Sequence, residues 1–146
     1  MRLWHKDLIP VLPRQQLLSQ WRECCCIARN IKVNGTPNHI LVNLIMTYPK
    51  THFTNYAQLV AAEMKKRGYR CQELNFSKYY PETYGNHEYY ELIFEGWHNQ
   101  RYLKQCYYNL QEKYDRGGIP EEEWLKIQDF MCSNPEVIKY SLTGKE

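Results

Sequence analysis

No apolar run in this 146-residue chain approaches membrane-spanning length. The longest, near Ile40 to Met46, is interrupted by Asn43. The opening Met1-Arg2-Leu3-Trp4-His5-Lys6-Asp7 lacks the apolar stretch of a secretory signal, so a soluble cytoplasmic protein is expected. CxxC spacing is missing too. Of the six cysteines, Cys24, Cys25 and Cys26 are adjacent and point in different directions on a helix, so no zinc site is expected. All six are read as reduced, mostly buried thiols. His87-Glu88-Tyr89-Tyr90-Glu91 ends on the wrong residue for an HExxH zinc motif. There is no internal repeat, low-complexity tract or linker, and a single domain over residues 1–146 is expected. Strongly one-signed charge is also lacking: the net charge of +3 permits nucleic-acid binding without demanding it. Phe is scarce, with 4 against 13 Tyr and 4 Trp, so most aromatic rings carry a polar handle. Such rings either pack in a core and reach its rim or form a surface that stacks on bases.

Hydrophobic residues make up 43% of the chain and charged residues 24%, which excludes a disordered polymer. Gly and Pro punctuate helical segments. Pro13 suits the first position of a helix running from Arg14 to about Ile31, ended by Gly35. Thr36 and Pro37 open a second segment ending before Pro49, a helix with β-branched content or, alternatively, a buried strand. Thr54 is read as the cap of a third helix carrying Tyr56, Leu59, Val60 and Met64, with Lys65, Lys66 and Arg67 at its negative end and Gly68 as its stop. A long fourth helix is expected from about His87 to Tyr114, with Leu92, Ile93, Gly96, Leu103, Cys106, Tyr107 and Leu110 as its stripe. Pro120 opens a fifth, with Glu121, Glu122 and Glu123 in its first turn and Trp124, Ile127, Phe130 and Met131 inward. Strand-like alternation is scarce. The expected fold is all-α, a compact single-domain bundle of about five helices.

The first thirty residues are the informative ones. Around the first helix, Leu17, Trp21, Cys24, Cys25 and Ala28 form the apolar face, while Gln15, Ser19, Arg22, Cys26 and Arg29 occupy the flank and rear. Glu23 falls roughly opposite Trp21, flanked by arginines. From periodicity this is a solvated helix face as readily as a site. His39, His52 and His98 read as structural or surface histidines, and His5 as structural or pocket-lining. Arg101, Lys104, Lys113 and Arg116 read as solvated helix surface. Tyr79, Tyr80, Tyr89 and Tyr90 fit either rim packing or stacking on an extruded base.

The run Leu12-Pro13-Arg14-Gln15-Gln16-Leu17-Leu18-Ser19-Gln20-Trp21-Arg22-Glu23 resembles the first helix of the pyrimidine-dimer DNA glycosylases of the phage endonuclease V type. Lys66-Arg67-Gly68-Tyr69 is similar to a Lys-Arg-Gly-aromatic segment there. Pro135 followed by Lys139-Tyr140 is similar to the basic, aromatic C-terminal segment that touches DNA in that family. The resemblance implies a small helical enzyme whose nucleophile is the α-amine of its first residue. An α-amine has an ordinary pKa of about 8 against about 10.4 for Lys, so a useful fraction is uncharged at neutral pH. It also implies a metal-independent glycosylase and apurinic-site lyase that needs no cofactor. Met1 takes the place of the nucleophile and Glu23 that of the general acid/base. Arg2, Arg22, Arg29, Lys139 and Tyr140 take those of the DNA contacts. The implied partner is double-stranded DNA with a damaged or abasic site, bound by a monomer.

Two departures stand out. Residue 2 is Arg, too bulky for usual methionine excision, so Met1 is expected to remain and one extra residue precedes the first helix. Cys26 stands where the family has another arginine, with Arg29 one turn on as its substitute. Both leave a rival open: a non-catalytic module of the same fold that binds distorted or modified nucleic acid. A protein–protein adaptor is the reading if other elements cover the polar face of the first helix.

Overall fold

The computed structural model describes residues 1–86 and 92–134. His87-Glu88-Tyr89-Tyr90-Glu91, Pro135, Lys139 and Tyr140, singled out above, lie outside the described residues. The described elements run in order: a 3-10 segment Lys6–Val11, α1 Arg14–Asn34, a second 3-10 segment Asn43–Thr47, α2 Lys50–Lys66, α3 Leu74–Ser77, α4 Gln100–Asp115 and α5 Glu121–Ser133. Among the described residues there is no strand, and the fold is all-α as expected. No described helix is long and apolar enough to cross a membrane.

α1 starts one residue after Pro13, which serves as its N-cap rather than its first residue. A proline there supplies no side-chain acceptor. The carboxylate of Glu123, from the first turn of α5, supplies one by accepting from the Arg14 amide at 2.6 Å. Gly35, left-handed at φ 78, closes the helix three residues beyond the expected end and donates to the Ile31 carbonyl. The buried face comprises Leu17, Gln20, Trp21, Cys24, Ile27 and Ala28. Trp21 packs on Phe76 of α3, and Phe76 meets Phe53 of α2 edge-on.

Three expectations about elements fail, each for a local reason. No helix or strand forms after Thr36. The Thr36 hydroxyl accepts from the Asn38 amide and Asn38 turns left-handed at φ 53, so only the short 3-10 segment follows. Thr54 caps nothing. α2 begins at Lys50 behind Pro49, and the Thr54 hydroxyl, inside the helix, bonds back to the Lys50 carbonyl. The long fourth helix is confined to Gln100–Asp115. Leu92 and Ile93 lie in irregular chain and Gly96 in a turn ahead of it, because Phe94 (φ 47) and Gly96 (φ 86) are left-handed and Asn99 caps the helix through the Tyr102 amide.

The first 3-10 segment packs against α2 and α5. Arg67, at the end of α2, donates to the carbonyls of Leu12 (2.7 Å), Pro10 (3.2 Å) and Ile9 (3.3 Å), and its Nε is held by Glu63 at 2.8 Å. The arginine of the Lys-Arg-Gly-aromatic segment is thus a fastener for the chain that leads into α1. Four of the six thiols are buried or half-buried, whereas Cys26 and Cys132 are exposed, which corrects the expectation of mostly buried cysteines only at those two positions. Lys104 is buried, not solvated.

Candidate active site

Residues 1–5 lie extended across three helices, and main-chain hydrogen bonds hold them. The Trp4 amide donates to Gln20 Oε1 at 2.7 Å, and Gln20 Nε2 donates to the Arg2 carbonyl at 3.0 Å. The Tyr56 hydroxyl, from α2, donates to the Trp4 carbonyl at 2.6 Å. The Tyr102 hydroxyl, from α4, donates to the Leu3 carbonyl. Burial holds both tyrosines above the usual phenol range, so they remain donors. The polar handle of these rings is therefore spent inside the protein, anchoring the terminal segment.

At the end of that segment His5 stacks on His98, both buried, with ring centroids 5.1 Å apart. His5 Nδ1 accepts from the Asp7 amide, and His98 Nδ1 accepts from the Lys6 amide. Both bonds require the unprotonated nitrogen. Burial pulls His5 below its ordinary value and takes His98 down to about 2, with the charges of His5 and Lys6 adding to it. His5 is thus a structural histidine, as are His52, which accepts from the Phe94 amide, and His98.

Gln20 also joins the terminus to the expected acid/base. The same Nε2 that donates to the Arg2 carbonyl lies 3.3 Å from Glu23 Oε2. Only two residues of chain, about 7 Å fully extended, separate that carbonyl from the α-amine. Met1 is exposed (41%) and Glu23 half-buried. The polar face of α1 is open as well: Arg22, Cys26 and Arg29 are exposed, which removes the observation an adaptor reading needs.

The expected DNA-contact arginines divide between two cavities. Arg2 lines one of about 620 Å³, together with Trp97, Arg101, Tyr102 and the aliphatic residues Ile40, Leu41 and Leu44. Arg2 also lies with its guanidinium 5.9 Å from the Trp4 ring. Arg22 and Arg29 line another, of about 340 Å³, with Cys26, Lys78 and Tyr79. The Arg22 guanidinium also donates to the Ser19 hydroxyl at 3.2 Å. Among the described residues, no acidic side chain lines either cavity. Arg101 and Lys78 are therefore functional candidates that the sequence reading missed or left as surface. Gln20 was missed too. Its signal was a polar residue inside the apolar stripe of α1, where a buried amide must have partners.

Burial pushes the Cys24 thiol well up, the Cys25 thiol to about 12 and the Cys71 thiol to about 11, so none is primed as a nucleophile. The arrangement links the backbone of the terminal segment to the Glu23 carboxylate through the Gln20 amide, and Met1 itself is exposed. A model of the family described as pyrimidine dimer DNA glycosylase matches residues 1–76. No curated protein and no solved structure matches the chain. Met1, Arg2, Arg22, Glu23 and Arg29 all fall within the matched residues.

Proposed function

Because the chain belongs to the pyrimidine dimer DNA glycosylase family, we propose that it excises damaged pyrimidines and then cuts the strand through a Schiff base on its own α-amine. The observation that carries this reading is the shared amide: Gln20 bonds both the backbone of the terminal segment and the Glu23 carboxylate.

In the proposed reaction the lone pair of the Met1 nitrogen forms a bond to C1′ of the damaged nucleotide. The glycosidic bond breaks, and the base leaves with that electron pair and takes up a proton. Loss of the amine proton and opening of the sugar ring give a protonated imine, whose charge the Glu23 carboxylate stabilises. The imine acidifies C2′–H, Glu23 accepts that proton, and the C3′–O bond breaks with its electrons going to the departing phosphate. Water then hydrolyses the imine and returns the amine. Arg2, Arg22 and Arg29 hold phosphates, the planar guanidinium suiting bidentate contact. Lys139 and Tyr140 are proposed as further DNA contacts. The protein acts as a monomer on double-stranded DNA, with no cofactor in these steps.

The test is borohydride trapping on duplex DNA that carries an abasic site or a dimer. A C-terminally tagged protein is expected to form a covalent adduct. One residue added before Met1 displaces the amine by about 3.3–3.6 Å, and misplacement of about 1 Å already costs about a hundredfold in rate. The extended protein should therefore bind but neither trap nor cleave. Glu23→Gln should lower strand cleavage by about a hundredfold or more while binding persists. Native-rate cleavage by the extended protein removes Met1 as the nucleophile. Binding without any adduct from the unextended protein favours the non-catalytic module.

A further inference from the structure

The segment between α1 and α2 leaves an aliphatic ridge in solvent. Ile40 is 86% exposed, Met46 49%, Leu44 46% and Leu41 44%. Their neighbours Val42 and Ile45 point the other way and are buried, so the ridge is anchored from below. It is also braced by its own hydrogen bonds. Asn43 Oδ1 accepts from the His39 amide, His39 Nδ1 accepts from the Leu41 amide, and the Thr47 hydroxyl donates to the Leu44 carbonyl. The core does not need these four side chains, and water disfavours them. An anchored apolar patch of this kind marks a contact surface.

Its surroundings identify the contact. Ile40, Leu41 and Leu44 line the same cavity as Arg2 and Arg101, with no carboxylate among the described lining residues. Arg2 makes that cavity continuous with the terminal segment. Two guanidinium groups beside an aliphatic edge match a polyanion whose interior is an apolar stack, which is duplex DNA. Proteins that kink DNA insert Leu, Ile or Met between base pairs while cations hold the phosphates. We propose that the Ile40–Leu41–Leu44 ridge is a wedge that enters the base stack beside the lesion and opens it toward the terminal amine, while Arg2 and Arg101 hold the flanking phosphates. This rests on DNA as the substrate and adds the element that distorts it.

The test compares the wild-type protein with Ile40→Asn and with the Ile40→Asn/Leu44→Asn double variant. Leu125→Asn, on exposed α5 surface away from this cavity, is the control. The first readout is the fluorescence of 2-aminopurine placed beside a tetrahydrofuran abasic analogue in a duplex, which rises when the base unstacks. The second is borohydride trapping on true abasic DNA, duplex against single-stranded. The wild-type protein and Leu125→Asn should raise the fluorescence, and the double variant should lose most of that rise. Its trapping rate on duplex should fall about tenfold or more, as expected if unstacking a step requires a few kcal/mol. Its rate on single strands, which have no stack to open, should be unchanged.

A full fluorescence rise in the double variant overturns the wedge. So does an equal loss of trapping on both substrates, which would mean damage to the site. A wild-type dimer in sedimentation that Ile40→Asn dissolves assigns the ridge to a second copy of the chain and also overturns it. A wild-type protein that unstacks the duplex yet traps nothing overturns the Schiff-base reading and leaves the wedge standing. One that traps single strands without unstacking duplex overturns the wedge alone.

Discussion

Gln20 is fully buried and makes use of its whole amide. Oε1 accepts from the Trp4 amide and the Tyr56 hydroxyl, while Nε2 serves the Arg2 carbonyl and Glu23. Gln20→Ala leaves several of these groups without a partner, at about 1–3 kcal/mol for each one that water cannot reach. Urea unfolding should show a loss in that range or above it. Strand cleavage by the remaining folded protein should fall further, because the terminus is no longer tied to Glu23. Cleavage that merely tracks the folded fraction would show that Gln20 has no part in positioning. The buried histidines yield a pH prediction. His98 is neutral in the folded protein and binds a proton below about pH 6.5 once unfolded. The unfolded chain therefore holds more protons at acid pH. Stability is fully present above pH 6.5 and declines as pH falls below it, by up to about 1.4 kcal/mol per pH unit for each such group. His5 acts in the same direction. His98→Asn retains an acceptor near the Lys6 amide without the titration, so its stability should change less between pH 7 and pH 5. An unchanged slope would show that other groups set the acid limit. Glu23 was legible only through the resemblance, since its spacing equally describes a solvated face. His98 was not legible as a bond partner because Lys6 lies 92 residues away.

At the scale of elements, the starts of α1 and α5 and the stop of α2 read correctly, whereas the start of α2, the segment between Thr36 and Pro49 and the extent of α4 did not. α1 and α5 carried proline starts, and α2 carried the Gly68 stop, where φ is 81. The expected helix through His87–Tyr114 counted apolar residues across Phe94 and Gly96, whose left-handed backbone no helix accommodates. Asn99, a good cap residue, marked the true start at Gln100. The segment after Thr36 was mistaken because Thr36 and Pro37 look like a helix opening, whereas the Thr36 hydroxyl accepts from the Asn38 amide in a turn with Asn38 left-handed. The apolar face of α1 is the element-scale prediction. Trp21 is 5% exposed and holds α3 through Phe76. Trp21→Ala should lower unfolding free energy by about 3–5 kcal/mol, and a change near zero in chemical denaturation would mean that α1 rests on the core by another face.

Over the whole molecule, charge is distributed to suit an anion without being abundant. The two cavities that hold the proposed DNA-contact arginines are lined by the cations Arg2 and Arg101 in one and Arg22, Arg29 and Lys78 in the other. If three or four of them neutralise phosphates, the logarithm of DNA affinity should fall against the logarithm of salt with a slope of about −3. Titrating binding to a lesion duplex across salt concentrations checks this, and affinity indifferent to salt would remove DNA as the partner. The all-α class was readable from composition and periodicity. The cavity wall formed by Trp97, Arg101 and Tyr102 was not, because these residues are remote from Arg2 in sequence and meet it only through the fold. Arg101 alone, on a helix surface, is indistinguishable from any solvated arginine until the fold brings it to Arg2.

The clasp on residues 2–4 sets an order on the making of the protein. Its fasteners lie 18 positions further along the chain for Gln20 with Arg2, 52 for Tyr56 with Trp4 and 99 for Tyr102 with Leu3. A ribosome releases the segment early and Tyr102 late. During synthesis a reactive amine would travel unattached while the carboxylate, the tyrosines and the arginines are assembled around an empty track. The residues proposed to do the chemistry are thus among the first to be translated and the last to be seated, and a nascent or truncated chain that stops before α4 carries the proposed nucleophile without the Tyr102 bond that helps to seat its segment.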